Sequence, residues 1–207
     1  MSNPRSIGIC SLCAEKVSRT SMTRHLNGCT QPGDSGTLSP GPSFHLLVEG
    51  RHAKAYWMHA AVPIDAPFSK LDHFLRRTWL ECCGHLSGFA IQGEKTGMTA
   101  PLCRRIDVGM KFTYEYDYGS TTELVVKVVA VRDQGTPKGA VQLLARNEPP
   151  PIICSHCEQP ATQVCGQCAC DDMGWLCESC AEAHSCGNEM LLPVTNSPRV
   201  GVCAYSG

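Results

Sequence analysis

FHLLVEG (44–50) and KAYWMHAAV (54–62), followed by PFSKLDHFLRRTWLEC (67–82), carry the two periodicities from which the fold is read. The first two runs are rich in aromatic and apolar residues and are joined across Gly50-Arg51-His52, which marks a pair of strands. In the third run Leu71, Phe74, Leu75, Thr78, Trp79 and Cys82 recur near every 3.6 residues, the spacing of one helix face. Ser69 with Asp72 three residues on has the form of a capping box, so the spacing predicts a helix from Lys70 to Cys82, stopped by Gly84. Downstream, HLSGFAI (85–91) reads as a strand. KFTYEYDYG (111–119) and TELVVKVVAV (122–131) read as a hairpin turning at Tyr118-Gly119-Ser120, and AVQLLAR (140–146) as a last strand. One main helix among mostly antiparallel strands is an α+β domain.

The same stretch resembles a known family. Tyr56-Trp57, Val62-Pro63, Leu71-Asp72-His73, His85-Leu86-Ser87-Gly88-Phe89 and Tyr114-Glu115-Tyr116-Asp117-Tyr118-Gly119 together are similar to the root-inducing-plasmid open-reading-frame-three-like domain. That family is also known as the passenger TnpR-type protein of an insertion element. The resemblance covers residues 44–146 and implies a link to a mobile element. Where the family continues with an acidic residue, a Trp and a His, this chain has Ser120-Thr121-Thr122-Glu123.

The segments on either side are read through their cysteines. The chain has 207 residues and 15 cysteines, and C-x-x-C pairs recur. The cysteine count is odd, and the opening MSNPRSIGIC lacks the apolar run of a signal peptide. Thiolate metal sites in a reducing cytoplasm are therefore expected, rather than a disulfide framework. Near the start, Cys10, Cys13, His25 and Cys29 follow C-x2-C-x11-H-x3-C. A tight turn aims the two cysteines at one ion, and a helix through 21–29 puts His25 and Cys29 on one face. This is a finger resembling the ββα type, with Cys as its last ligand. Thirty residues build too small a core to fold without the metal.

Toward the other end, Cys154/Cys157, Cys165/Cys168 and Cys177/Cys180 are followed by His184 and Cys186, eight ligands for two closed tetrahedral sites. Adjacent pairs lie only seven or eight residues apart. Alternate pairing leaves nineteen residues between Cys157 and Cys177 and fifteen between Cys168 and His184, within the usual range for such sites. The expected grouping is Cys154, Cys157, Cys177 and Cys180 on one zinc, and Cys165, Cys168, His184 and Cys186 on the other, a cross-brace. A sequential grouping stays open, because Cys180 and His184 are four apart on a helix-like ESCAEAH. Cys203 is an alternative to Cys186. His156 is expected to face solvent and Cys170 to be spare; Cys82, Cys83 and Cys103 are read as packing residues.

The resulting organisation is a zinc finger (1–30), a Pro/Gly/Ser linker (31–43), the α+β domain (44–148), a Pro-rich spacer (149–153) and a double-zinc module (154–207), with three Zn²⁺ expected. Charge sharpens the function classes. The net formal charge is −1, which excludes a basic nucleic-acid coat, and no apolar run reaches the length of a membrane span. Residues 149–207 hold six acidic residues against Arg199 alone. The expectation is a non-catalytic, cytoplasmic zinc-binding adaptor with a protein partner and no membrane partner. One alternative is a nucleic-acid-associated factor using Arg76, Arg77, Arg104 and Arg105. Another is an enzyme using His85 and Asp117 as base and acid, with Glu115 and His73 nearby.

Overall fold

The structure is a computed structural model that describes residues 6–29, 38–171 and 173–207, the side chain of Cys170 excepted. Of the linker expected over 31–43, residues 31–37 lie outside the described residues. The N-terminal segment supplies strands Ile7–Cys10 (β1) and Lys16–Ser18 (β2) and helix Arg19–Gly28 (α1). Next come Ser43–Gly50 (β3), Trp57–Pro63 (β4) and helix Phe68–Leu75 (α2), which runs into a π-helical turn at Arg76–Leu80. Strands Ser87–Ile91 (β5), Glu94–Thr96 (β6), Lys111–Tyr116 (β7), Thr122–Arg132 (β8) and Gln142–Asn147 (β9) follow. All nine strands join one sheet in the order β2-β1-β9-β4-β3-β8-β7-β5-β6, every pair antiparallel.

Strand alternation sorts the side chains onto two faces. Phe44, Leu46 and Val48 of β3 join Met58, Val62, Phe112, Tyr114, Tyr116, Leu124, Val126 and Val128 on one face, which α2 and the π turn cover with Leu71, Leu75, Trp79 and Leu80. On the other face Trp57, Ala61, Leu144 and Ala145 pack with Met22 and Leu26, one turn apart on α1. The finger is therefore built onto the sheet: β1 pairs with β9 from Gly8↔Asn147 to Cys10↔Ala145, and α1 covers the second face. Burying each large side chain contributes roughly 1.5–3 kcal/mol relative to exposure.

The helix differs from its expected limits. It starts at Phe68, with Pro67 at the N-cap and no side-chain cap. Its first amides are satisfied from outside, Phe68 N–H by the Ala100 carbonyl (3.1 Å) and Ser69 N–H by Met98 (2.8 Å). Asp72 does not close a capping box. Its Oδ1 accepts from Ser87 Oγ (2.6 Å) and Tyr114 OH (2.8 Å), tying helix to sheet. The helix ends at Leu80, where Glu81 turns extended and its N–H bonds the Arg76 carbonyl, five residues back. The extra residue of the π turn buries both Trp79 and Leu80 and sets Cys82-Cys83 free of the helix.

Strand β7 stops at Tyr116 rather than Gly119, because Asp117 takes a left-handed φ of 66° and its Oδ1 accepts from Gly119 N–H (3.0 Å). The short edge strand β6 was not expected. It follows Gln92-Gly93, both at positive φ, the two-residue turn of a tight hairpin.

After the prolines, Gln163–Cys165 (β10), Trp175–Leu176 (β11), helix Glu178–Glu182 (α3) and Leu191–Pro193 (β12) form a small second unit with sheet order β11-β10-β12. The chain then returns to the large domain: Ser197 Oγ donates to the Trp79 carbonyl (2.6 Å), and Arg199 is fully buried. Mostly antiparallel strands with few helices, and cysteine/histidine groups at both ends, make the chain α+β as read from sequence. No helix among the described residues is long and apolar enough to cross a membrane.

Candidate metal centres

In the N-terminal segment the turn after β1 is closed by Ala14 N–H to the Cys10 carbonyl (2.8 Å) and Cys10 N–H to Glu15 (3.0 Å), with Ala14 at φ 63°. That turn presents Cys10 and Cys13 together. Helix α1 presents His25, and Cys29 follows at its C-cap. Cys10 Sγ lies 3.8 Å from Cys29 Sγ, and Cys13 Sγ lies 3.4 Å from His25 Nε2.

In the second unit, Cys154, Cys157, Cys177 and Cys180 form one group and Cys165, Cys168, His184 and Cys186 another. Within each, all ligand atoms lie within 4.8 Å of one another. Cys157 Sγ is 3.6 Å from Cys177 and 3.9 Å from Cys180. Cys168 Sγ is 3.6 Å from His184 Nε2 and 3.5 Å from Cys186. The grouping is the interleaved one. Cys180 and His184 part company because α3 ends at Glu182, and His184 N–H bonds Ala181, only three residues back. His156 is exposed, as expected.

These distances can be set against a zinc tetrahedron. Bonds of about 2.3 Å to sulfur and about 2.0–2.1 Å to nitrogen give edges of about 3.8 Å between sulfurs and about 3.6 Å between sulfur and nitrogen. The observed separations of 3.4–3.9 Å lie within about 0.3 Å of those edges, and all exceed the roughly 2.05 Å of a disulfide. The packed thiols shift one another's acidities. Cys177 is held down to about 6, first by its hydrogen bond with the Ser179 hydroxyl, and Cys180 is pushed up to about 12, first by its bond with Cys177. Burial pushes Cys29 up to about 12. A cation bound among such packed thiols would favour the thiolate form of all of them.

Three expectations are corrected. Cys203 does not stand in for Cys186; it lies 3.9 Å from Cys83 Sγ and 3.5 Å from His85 Nε2. Cys82 and Cys83 are not a buried helix end: Cys82 is half-buried and Cys83 exposed, beyond the helix, and Cys103 too is exposed rather than packed. Cys82, Cys83, His85 and Cys203 form a fourth group whose ligand atoms lie within 4.8 Å, where the sequence suggested three sets. Local spacing carries little signal for it beyond the C-C-x-H run, because Cys203 is 120 residues from Cys83.

The acid–base pairing is partly assembled. His85 Nδ1 stands 3.6 Å from Asp117 Oδ1, but Asp117 Oδ2 accepts from Arg199 Nη2 at 2.7 Å. The Arg199 guanidinium, first among several donors, holds the Asp117 carboxyl down to about 2. The other His85 nitrogen faces the Cys203 sulfur. His73 is exposed. A cleft of about 430 Å³ between Ile7, Arg19, Lys54 and Pro149–Pro151, and another of about 520 Å³ beside Pro160 and Glu178, include neither His85 nor Asp117. Tyr114 and Tyr116 are fully buried, Tyr116 OH donating to Glu81 Oε1 (3.0 Å), whereas Tyr118 is exposed. Of the four arginines, Arg76 is engaged by Glu81 at 2.5 Å, while Arg77, Arg104 and Arg105 are exposed.

One buried polar pair was not anticipated. His45 Nε2 and His59 Nδ1 lie 2.8 Å apart on the sheet face. Burial first, then the charge of Arg132 for His45 and of His45 for His59, lowers their pKa values to about 4 and about 3.

No family model matches the chain, and no curated protein matches it. Among solved structures, the crystal structure of a protein of unknown function from Methanosarcina mazei Go1 is similar, with a TM-score of 0.44 and 15% identity. The match covers 52% of this chain and 68% of that one. The family resemblance expected for residues 44–146 finds no support in these comparisons.

Proposed function

We propose that the chain is a non-catalytic zinc-binding protein acting as a protein-interaction adaptor. Zinc would be held at the N-terminal end by Cys10, Cys13, His25 and Cys29. At the C-terminal end one ion would sit on Cys154, Cys157, Cys177 and Cys180, and one on Cys165, Cys168, His184 and Cys186. In each group the metal supplies cross-linking charge, and the protein's own turns and helix ends aim the donors.

The observation that carries the adaptor reading is the burial of Arg199. It is the single Lys or Arg of residues 149–207, and it is fully buried against Asp117. Glu158, Asp171, Glu178, Glu182 and Glu189 are all exposed. Seven thiolates against two Zn²⁺ leave three further negative charges. Such a surface repels phosphate and attracts a basic protein face. The nucleic-acid alternative has less to work with, since Arg76 is already neutralised by Glu81.

Two measurements test this reading together: capture of native partners on zinc-loaded protein, and a low-salt gel shift with DNA and RNA. The expected result is partners that elute with salt and are lost on Glu178→Lys/Glu182→Lys, with no shift. A shift at low salt, with partner capture unchanged by the charge reversal, overturns it.

A further inference from the structure

Among the described residues thirteen cysteines fall into four groups, and the fourth joins Cys82, Cys83 and His85 of the large domain to Cys203 of the C-terminal tail. We propose that Cys82, Cys83, His85 and Cys203 form a further zinc site, which staples the C-terminal tail onto the large domain.

The donor set is three sulfurs and one imidazole, the composition that Zn²⁺ takes in closed structural sites. Cys83 and Cys203 stand 3.9 Å apart, and Cys203 Sγ lies 3.5 Å from His85 Nε2, close to the sulfur–sulfur and sulfur–nitrogen edges of a zinc tetrahedron. At 3.9 Å the two sulfurs are far outside disulfide bonding distance.

The surroundings are those of a metal ligand set. The second nitrogen of His85 faces the Asp117 carboxylate at 3.6 Å, the arrangement in which an outer carboxylate orients a metal-binding imidazole. Three thiolates around one Zn²⁺ leave a single negative charge. Buried Arg199 meets it, with Nη2 3.4 Å from Cys82 Sγ. Arg199 is itself fixed by Asp117 (2.7 Å), Thr122 Oγ1 (3.0 Å) and the Ser120 carbonyl (3.1 Å).

Backbone conformation gives an independent sign. Cys203 sits at φ 55°, in the left-handed region that favours glycine, two residues after Gly201 at φ 75°. A cysteine there is strained, and an exposed side chain offers no burial to offset it. Metal ligation supplies the compensation. Gly84 at φ 74°, whose N–H bonds Glu81 Oε1 (2.7 Å), turns the chain between Cys83 and His85 so that both face the tail. The site closes a loop of more than a hundred residues and adds a metal cross-link to the contacts by which Ser197 and Arg199 already hold the tail on the large domain.

This site is independent of the three that the proposed function uses, and the substitution Cys203→Gly separates them. Glycine removes the ligand while relaxing the backbone, so a purely conformational role for residue 203 predicts unchanged or higher stability. Zinc in protein purified without chelator is expected at four per chain in the wild type and three in both Cys203→Gly and His85→Gln. In the zinc-loaded wild type, Cys83 and Cys203 should resist N-ethylmaleimide and react after chelation. Cys103, exposed and outside all four groups, should react throughout. Hydrogen exchange over 197–205 should rise in Cys203→Gly. Three zincs in both wild type and Cys203→Gly, or rapid alkylation of Cys83 and Cys203 before chelation, overturns the fourth site alone. Protection lifted by a reductant but not by a chelator means a disulfide and also overturns it. No zinc in any of the proteins overturns the proposed function as well.

Discussion

Replacing Gly8 with alanine tests whether the finger is part of the sheet or only tethered to it. A Cβ at Gly8 would lie 2.4 Å from Trp57 Cη2, 2.7 Å from Trp57 Cζ2 and 2.6 Å from the Arg146 carbonyl oxygen. Ordinary contact begins near 3.4 Å, so relief needs a shift of about 1 Å. Neither neighbour gives way easily. Trp57 is fully buried, with Nε1 donating to Ser6 Oγ at 2.7 Å, and the carbonyl belongs to β9. Strand β1 must therefore move off β9, straining the bonds from Ser11 N–H to Leu144 (2.8 Å) and from Glu148 N–H to Ile7 (2.9 Å). Overpacking of this kind costs about 1–3 kcal/mol. At roughly 2–4 °C per kcal/mol for a chain of this size, a Tm loss of about 2–12 °C is expected. Zinc-loaded protein would be followed by thermal denaturation and by hydrogen exchange at β1 and β9, with Gly97→Ala as control, because nothing lies within 4 Å of a Cβ there. If Gly8→Ala melts like wild type and keeps its β9 protection, the finger is a tethered module and its docking on the sheet is refuted.

Asp72→Ala should cost about 2–4 kcal/mol in urea unfolding, because it strands the buried Tyr114 hydroxyl and releases Ser87, whereas Ser69→Ala should be near neutral; equal losses would restore the capping box. His45 and His59 are held neutral in the fold, with acidities of about 4 and about 3 against an ordinary 6.5, so the unfolded chain takes up their protons first. Their stability contribution is whole above pH 6.5 and falls as pH drops toward 4 and then 3. The urea midpoint of wild type should therefore fall more between pH 7 and 5 than that of His45→Gln/His59→Gln, and parallel slopes would contradict this. In cobalt-substituted protein, Cys154→Ser and Cys165→Ser should each disturb a different C-terminal ion, and the double variant should disturb both. A double variant that retains one C-terminal ion at full tetrahedral absorbance would place the two cysteines on one metal.

What could be read beforehand was local or set by loop length. Alternation in Phe44, Leu46 and Val48 reports a sheet face because period two is a property of the strand itself. The C-x-x-C pairs report knuckles, and the short loops between them favour interleaving, the grouping the structure brings together. Contacts between distant segments leave no such mark. Nothing near Gly8 points to Asn147, yet their pairing fixes the finger. Nothing near Arg199 points to Asp117, and Cys203 carries no spacing that names Cys83 and His85. Asp72 matched a local pattern, but two hydroxyls from the sheet claim its carboxylate, a tertiary contact prevailing over a local one.

The most direct test of zinc binding by the terminal groups is native mass spectrometry of the full chain, purified without chelator. The adaptor reading predicts a mass carrying at least three zinc ions, with Cys10→Ser, Cys154→Ser and Cys165→Ser each lowering the count by one. A metal-free mass, or a single ion unaffected by all three substitutions, would contradict it.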